Sequence, residues 1–159
     1  MPRIGITGHR GLSHEIEEYV RRELRQLLGT IPGDQLTGIS CIADGADSIF
    51  AEIVLELGGQ LSVVVPATTY RNDLPASHHL DYDRILDAAH TIQRLDHEAS
   101  NSEAHMDASR LIVNDADELI AVWDGEPARG YGGTADVVAY AKDRRIPVRV
   151  VWPRGMKRD

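Results

Sequence analysis

Residues 3–28, RIGITGHRGLSHEIEEYVRRELRQLL, predict one strand, one turn and one helix in succession. The apolar run at 3–8 is typical of a buried strand, and the glycines at positions 8 and 11 predict a tight turn after it. Apolar residues then recur at helical spacing over 16–28. Ser13 is placed to cap the start of this helix and Gly29 to end it. A strand followed at once by a helix is the repeating unit of a parallel sheet.

The same alternation continues to the end of the chain. Apolar segments at 36–43, 61–67, 91–96, 118–125 and 148–153 predict five more strands. Helical patterns lie at 47–59, 80–89 and 134–145, with one more within 97–117. The sequence therefore predicts a Rossmann-like, doubly wound α/β fold with helices on both faces. We expect six mainly parallel strands in the order 4-3-2-1-5-6, and this prediction allows antiparallel strands only at the edges. The domain spans 1–153, and a polar C-terminal tail spans 154–159.

Charge and cysteine content narrow the classes of partner. The chain of 159 residues has 17 Lys and Arg against 25 Asp and Glu, a net charge of −8. Nucleic-acid binding needs a basic surface, so nucleic acid is an unlikely partner, although a local basic pocket can hold one small anion. Cys41 is the only cysteine, which favours a reducing, cytoplasmic location. No apolar run is long enough to span a membrane.

In doubly wound sheets, ligands bind beyond the carboxyl ends of the strands. The residues that follow the predicted strands are therefore the candidate ligand contacts. They are Thr7, Gly8, His9, Arg10, Asp44, Gly45, Asp47, Thr68, Gly130, Gly132, Gly133 and Thr134.

The segment 130–134, GYGGT, is the most informative of these loops. Its glycines let backbone N–H groups face a ligand, and the helix that begins near Thr134 adds exposed amides and a partial positive charge. Thr134 either caps that helix or donates its hydroxyl to a phosphate. No lysine follows the glycines, so this is not a Walker loop. The first turn lacks the G-x-G-x-x-G spacing of dinucleotide sites. The alternative is that the glycines only mark the start of a helix.

The other loops also allow two interpretations. In 43–47, ADGAD, Asp44 either caps the second helix or, like Asp47, accepts a ligand hydroxyl above Gly45. Arg10 suits a phosphate because of its guanidinium, whereas His9 caps, stacks or is solvated.

We expect no metal site and no obligatory cofactor. The histidines at 78 and 79 are adjacent, and neither H-E-x-x-H nor a paired-cysteine motif is present. A serine nucleophile elbow, G-x-S-x-G, is also absent.

These motifs together resemble the SLOG superfamily. The resemblance is carried by IADGADSIFAE at 42–52, DELIAVWDG at 117–125 and GGTADVVAYA at 132–141, and it runs from about residue 3 to 153. The superfamily includes Lonely-Guy-type phosphoribohydrolases, the Rossmann-like domain of DNA-processing protein A and proposed molybdenum-cofactor carriers. The resemblance implies a Rossmann-like sheet, a nucleotide or nucleotide-derived ligand and a homodimer.

Two departures from the Lonely-Guy pattern bear on catalysis. Those enzymes carry P-G-G-x-G-T-x-x-E, and here Val137 stands where their catalytic glutamate belongs. Asp136 is one position earlier, about 100° away around the helix. Counting back from Asp117 to the position of their catalytic arginine reaches Ala108, and Arg110 is two positions off. These differences argue against phosphoribohydrolase activity.

We therefore expect a binding module, a sensor or carrier, for a small phosphorylated ligand. The alternative is a hydrolase of a nucleotide N-glycosidic bond, for which Asp136, Asp47 and Glu103 are the available acids. A weaker alternative is a carrier of the molybdenum cofactor, whose phosphate would use the same loops.

Overall fold

A computed structural model describes residues 2–158. The sheet has six strands in the order β4-β3-β2-β1-β5-β6, as the alternation of strands and helices predicts. All five neighbouring pairs are parallel, including those at the edges of the sheet. The strands are β1 (Arg3–Gly8), β2 (Thr37–Ser40), β3 (Gln60–Val65), β4 (Thr91–Arg94), β5 (Glu118–Val122) and β6 (Val148–Val151).

Six α-helices connect and cover the strands. The helices α1, α2 and α4 lie along one face of the sheet, and α5 and α6 pack together on the other. The short α3 was not predicted. The helices are α1 (His14–Leu28), α2 (Ala46–Glu56), α3 (Tyr70–Asp73), α4 (His79–Asp87), α5 (Ser102–Asp115) and α6 (Thr134–Asp143).

The first helix shows how local sequence sets the ends of an element. The Ser13 hydroxyl accepts a hydrogen bond from the backbone N–H of Ile16, 3.3 Å away, and Gly29 is the C-cap residue. Ile16, Val20, Leu24 and Leu28 are buried against the sheet, as their spacing of four predicts. Their burial packs α1 against α2 and into the core cluster that holds the apolar side chains of β1, β5 and β6.

Packing around the end of β1 depends on the lack of a side chain at Gly8. A Cβ atom there would lie 2.5 Å from Cβ of Ala46 and 2.8 Å from Cβ of Val122. These distances are too short for real contacts. Gly8 therefore lets the start of α2 and the end of β5 approach β1, which brings three loops together at this edge.

Within residues 2–158, no helix combines the length and the apolar character needed to cross a membrane. The domain boundary at 153 stays a prediction. The tail predicted at 154–159 includes Asp159, which lies outside the described residues. Trp152 Nε1 donates a hydrogen bond of 2.8 Å to the carbonyl of Met156, and Met156 packs against the core. The segment directly after β6 is therefore held against the domain.

Candidate functional site

A cleft of about 300 Å³ opens at the carboxyl ends of the strands. Its walls are residues 6–10 at the end of β1, the β2–α2 turn, the start of α3, one side of α5 and the β5–α6 loop at 126–135. This edge includes the boundary between β1 and β5, where the direction of strand progression reverses. The cleft is therefore at the place where open α/β sheets bind ligands.

The structure brings together most of the residues selected from the sequence, but not all of them. Those that line the cleft are Thr7, Gly8, His9, Arg10, Asp47, Gly130, Gly132, Gly133 and Thr134. Those that do not line it are Asp44, Gly45, Thr68, Glu103 and Asp136.

His9 is buried and connects three segments of the chain. Its Nε2 lies 3.2 Å from the backbone nitrogen of Asp124, its Nδ1 lies 3.4 Å from the Thr134 hydroxyl, and its ring meets the Trp152 ring edge-on. Burial, with the positive charge of Arg158, lowers the pKa of His9, and Asp124 offsets this only in part. His9 is therefore a neutral residue that holds the walls of the cleft together.

Arg10 differs from its neighbour because its side chain is 45% exposed. Its Nε donates a hydrogen bond of 2.8 Å to Oδ1 of Asp44. The interpretation of Asp44 as the cap of α2 is wrong, since Gly45 occupies the N-cap position and no side chain caps this helix. Asp44 instead orients a cationic residue of the cleft.

Gly45 has a structural reason to be glycine. Its φ of +88° is strained for other residues. A Cβ atom there would also lie 2.7 Å from the carbonyl oxygen of His9. The next residue, Ala46, donates its N–H to that same oxygen over 3.3 Å. Gly45 therefore joins α2 to the β1–α1 loop, behind the wall of the cleft.

The glycine-rich loop before α6 is held by its own hydrogen bonds. Gly132, with φ +85°, donates its N–H to Oδ2 of Asp136 over 2.9 Å, and Gly133 donates to the carbonyl of Gly130 over 3.2 Å. Asp136 therefore supports the loop and does not line the cleft. Gly133 is the N-cap residue of α6, so of the two roles predicted for Thr134 the role as helix cap is wrong.

Two backbone amides at the start of α6 remain available. Thr134 and Ala135 are the first two residues of α6, and both line the cleft. Within residues 2–158, neither amide N–H has an acceptor. Arg10, Arg129 and Arg158 line the same cleft. Exposed amides, a helix N-terminus and cationic side chains together form a site that favours an anion.

Asp47, in the first turn of α2, is a carboxyl group that lines the cleft. Burial raises the pKa of Asp47 from 3.8 to about 7, and Asp44 adds to the increase, while the Ala43 amide and Arg10 oppose it. Oδ2 accepts a long hydrogen bond of 3.4 Å from the backbone N–H of Ala43. Asp47 can therefore be either protonated or ionised near neutral pH.

Sequence reasoning missed several cleft residues. Cys41 and Tyr70 are buried, and burial raises the pKa of both groups. His105 comes from α5, meets the Tyr70 ring edge-on and lies 2.7 Å from the Ser100 hydroxyl. Arg158 comes from the segment after β6. The position of Tyr70 soon after β3 was a usable signal, but nothing in the sequence places 105 or 158 at this edge.

Val137, Ala108 and Arg110, the positions compared with the Lonely-Guy pattern, do not line the cleft. Val137 is buried in the core, as is Ala108. Arg110 donates hydrogen bonds to Asp107 and to the Tyr131 hydroxyl, at 3.0 and 2.8 Å, and does not line the cleft. The structure therefore places neither a glutamate nor an arginine at the sites that those motifs predict.

The remaining candidates serve other parts of the molecule. Thr68 donates its N–H to the carbonyl of His97 over 2.9 Å, which ties the β3–α3 loop to the β4–α5 loop. Glu103 is an exposed residue in the first turn of α5. In the part of the chain that the structure describes, no three His, Cys, Asp or Glu side chains are grouped so as to hold a metal ion.

The fold and the position of the cleft define a Rossmann-like α/β protein. No family model matches the sequence, and no curated protein matches it. Solved structures match it across nearly all of its length. DNA processing protein A from Streptococcus pneumoniae has a TM-score of 0.71 and 18% identity over 94% of this chain and 50% of its own. This chain therefore spans half the length of that protein.

Two further neighbours extend the comparison. DNA processing protein A from Helicobacter pylori, a single-stranded DNA-binding protein, has a TM-score of 0.71 and 18% identity over 99% of this chain and 68% of its own. The molybdenum cofactor carrier protein of Chlamydomonas reinhardtii has a TM-score of 0.62 and 18% identity over 94% of this chain and 75% of its own. These neighbours show that the chain has the Rossmann-like fold that its sequence predicts.

The comparison also bears on nucleic acid as a partner. The expectation from net charge that nucleic acid is unlikely finds no support, because the Helicobacter pylori neighbour binds single-stranded DNA. Net charge describes the whole surface, whereas a phosphate responds to the groups within about a Debye length of it.

Proposed function

We propose that the cleft binds the phosphate group of a nucleotide or nucleotide-derived ligand, and that the protein acts as a sensor or carrier of that ligand. The observation that carries the proposal is the pair of amides at Thr134 and Ala135, which have no acceptor within residues 2–158. They lie in a cleft that Arg10, Arg129 and Arg158 also line, in a chain with a net charge of −8. A helix N-terminus with cationic side chains beside it favours one bound anion.

A proline substitution tests the role of the α6 amides directly. Thr134 is the first residue of α6, a position where proline is accepted. Gly133 has φ −71° and ψ 176°, a conformation that the residue before a proline readily adopts. Thr134→Pro therefore removes one N–H donor with little change to the backbone. Thr134→Val is the matched control, because it keeps the N–H and removes only the hydroxyl.

The assay has two stages. The purified protein is screened by thermal stabilisation with inorganic phosphate, nucleoside monophosphates and dinucleotides, and the ligand that stabilises it is titrated by calorimetry. A charge-assisted hydrogen bond contributes about 1.5–3 kcal/mol. Thr134→Pro should therefore weaken binding by about tenfold or more, while Thr134→Val should bind several-fold more tightly than the proline variant. If the proline variant folds and binds the ligand as tightly as the wild type, the phosphate does not bind at the α6 amides.

The second candidate function is hydrolysis of a nucleotide N-glycosidic bond. The observation that favours it is Asp47, a cleft carboxyl whose pKa burial raises to about 7, as a general acid at neutral pH requires. Of the three acids considered from the sequence, Asp47 lines the cleft and Asp136 and Glu103 do not. Chromatography of the same incubations for free base separates the two functions. Base release that Asp47→Asn abolishes supports the hydrolase, and stabilisation without release supports the binding module.

The structural neighbours add two ligands to this screen. The carrier proteins bind the molybdenum cofactor, and a phosphate of that cofactor suits the same amides. Single-stranded oligonucleotides belong in the panel because of the Helicobacter pylori neighbour.

Assembly and location complete the proposal. A homodimer is what the superfamily resemblance implies, and sedimentation analysis measures it. A single buried cysteine is in keeping with a reducing compartment such as the cytoplasm.

A further inference from the structure

The cleft lining carries two kinds of group. The β5–α6 loop and the start of α6 contribute backbone amides and a cationic side chain, which favour an anion. Cys41, Asp47, Tyr70 and His105 line the same cleft and come from the β2 side of the sheet, α2, α3 and α5. Asp47 is the carboxyl group of this second set. An ionised carboxylate repels phosphate, so the two sets suit different parts of one ligand.

Asp47 has hydrogen-bonding capacity that the protein leaves unused. Its Oδ2 accepts the long bond from the Ala43 amide, and no donor to Oδ1 is found within residues 2–158. Every fully buried side-chain nitrogen or oxygen in that range has a hydrogen-bond partner, so Oδ1 is open to the cleft that Asp47 lines. The ligand hydroxyl is the natural donor in a cleft of this size, because an O–H group bonds a carboxylate strongly and carries no charge.

From this arrangement we infer that Asp47 recognises a hydroxyl group on the sugar of the bound ligand. It thereby selects phosphorylated sugars and ribonucleotides over phosphate esters that lack a hydroxyl. The inference rests on the proposed function, since it requires the phosphate to lie against α6. It assigns the part of the cleft that Asp47 lines to the sugar.

The charged and titratable groups around Asp47 set how its selectivity depends on pH. They come from four segments and are Arg10, Cys41, Asp44, Tyr70 and His105. Burial keeps the carboxyl protonated at low pH, where it is a weaker partner for a hydroxyl donor. Selectivity for the hydroxyl should therefore increase as the pH rises through about 7.

The experiment compares two small probes of similar charge. Ribose 5-phosphate carries sugar hydroxyls, and ethyl phosphate carries none. The ratio of their dissociation constants, measured from pH 5.5 to pH 8.5, cancels the titration of the phosphate group itself. The wild type should prefer ribose 5-phosphate by about tenfold or more at pH 8.5 and by much less at pH 5.5. Asp47→Asn should lose the pH dependence, and the exposed-carboxyl control Glu103→Gln should keep it.

The outcomes separate this inference from the proposed function. Binding of both probes with equal affinity at every pH overturns the role of Asp47 and leaves the phosphate site intact. Failure of inorganic phosphate, ethyl phosphate and ribose 5-phosphate to bind overturns both. The wild-type pH series alone decides the question if Asp47→Asn fails to fold.

Discussion

Asp47→Asn should change how the folding stability of this protein depends on pH. Burial raises the pKa of Asp47 from the 3.8 of an ordinary aspartate to about 7 in the folded protein. Because the folded pKa lies above the unfolded one, the contribution of this carboxyl to stability is fully present below pH 3.8. It is lost as the pH rises through about 7. Asparagine has nearly the same shape as aspartate but does not titrate, so the variant does not lose this stability as the pH rises.

The size of the effect follows from the two pKa values. Each pKa unit corresponds to about 1.4 kcal/mol, so the complete loss between 3.8 and about 7 has an upper limit of about 4 kcal/mol. Only part of this interval lies between pH 5 and pH 8. Asp47 also borders an open cleft, where water weakens the penalty. We therefore expect the free energy of unfolding of the variant, relative to that of the wild type, to increase by about 1–3 kcal/mol between pH 5 and pH 8.

Urea unfolding at pH 5, 6, 7 and 8 measures this difference. The free energy of unfolding of Asp47→Asn minus that of the wild type should increase with pH, because every other titrating group is common to both proteins. Similar m-values would show that the unfolded states are comparable. Glu103→Gln, which removes an exposed carboxyl, should give a difference that hardly changes. A constant difference for Asp47→Asn would show that this carboxyl ionises like one in water and would refute the reasoning.

Two further predictions concern the walls of the cleft. Gly8→Ala should destabilise the protein by about 2 kcal/mol or more, because its Cβ would lie 2.5 Å from Cβ of Ala46. Gly130→Ala, where no atom lies within 4 Å of the added Cβ, should leave the melting temperature nearly unchanged, and equal melting temperatures for both variants would contradict this packing. Arg10→Gln should weaken phosphate binding by several-fold and reduce its salt dependence. Arg22→Gln makes an equal charge change on the exposed face of α1 and should leave phosphate binding unchanged. If both variants lose the same phosphate affinity, the effect comes from net charge alone.

The sequence predicted the sheet well because its signals are local. The apolar runs and the helical spacing of Ile16, Val20, Leu24 and Leu28 report burial of each element without reference to the others. The rule that ligands bind at the carboxyl ends of strands then placed Gly8 and Gly132 on one cleft, and both line it. The binding roles of these residues remain predictions.

The structure gives two acidic residues partners that the sequence does not indicate. Asp44 has the right type and spacing for a helix cap, but Arg10 takes its carboxylate and Gly45 occupies the cap position. Asp136 is near the helix start as predicted, yet its carboxylate accepts the Gly132 amide. In each case a side chain had two possible partners. The choice depended on neighbours that the sequence pattern does not specify.

The sequence by itself determined the order of strands, the faces of the helices and the edge at which the cleft forms. Hydrophobic periodicity, a property of short segments, determines the elements and their buried faces, and the strand order and the ligand edge follow from the rules of doubly wound α/β folds. Only the tertiary structure decided what the cleft contains. His9 meets Asp124, 115 residues away, and α5 brings His105 to the ring of Tyr70. Hydrogen bonds and burial act over a few ångströms, so the partners of a side chain and the pKa of Asp47 depend on contacts that exist only after the chain has folded.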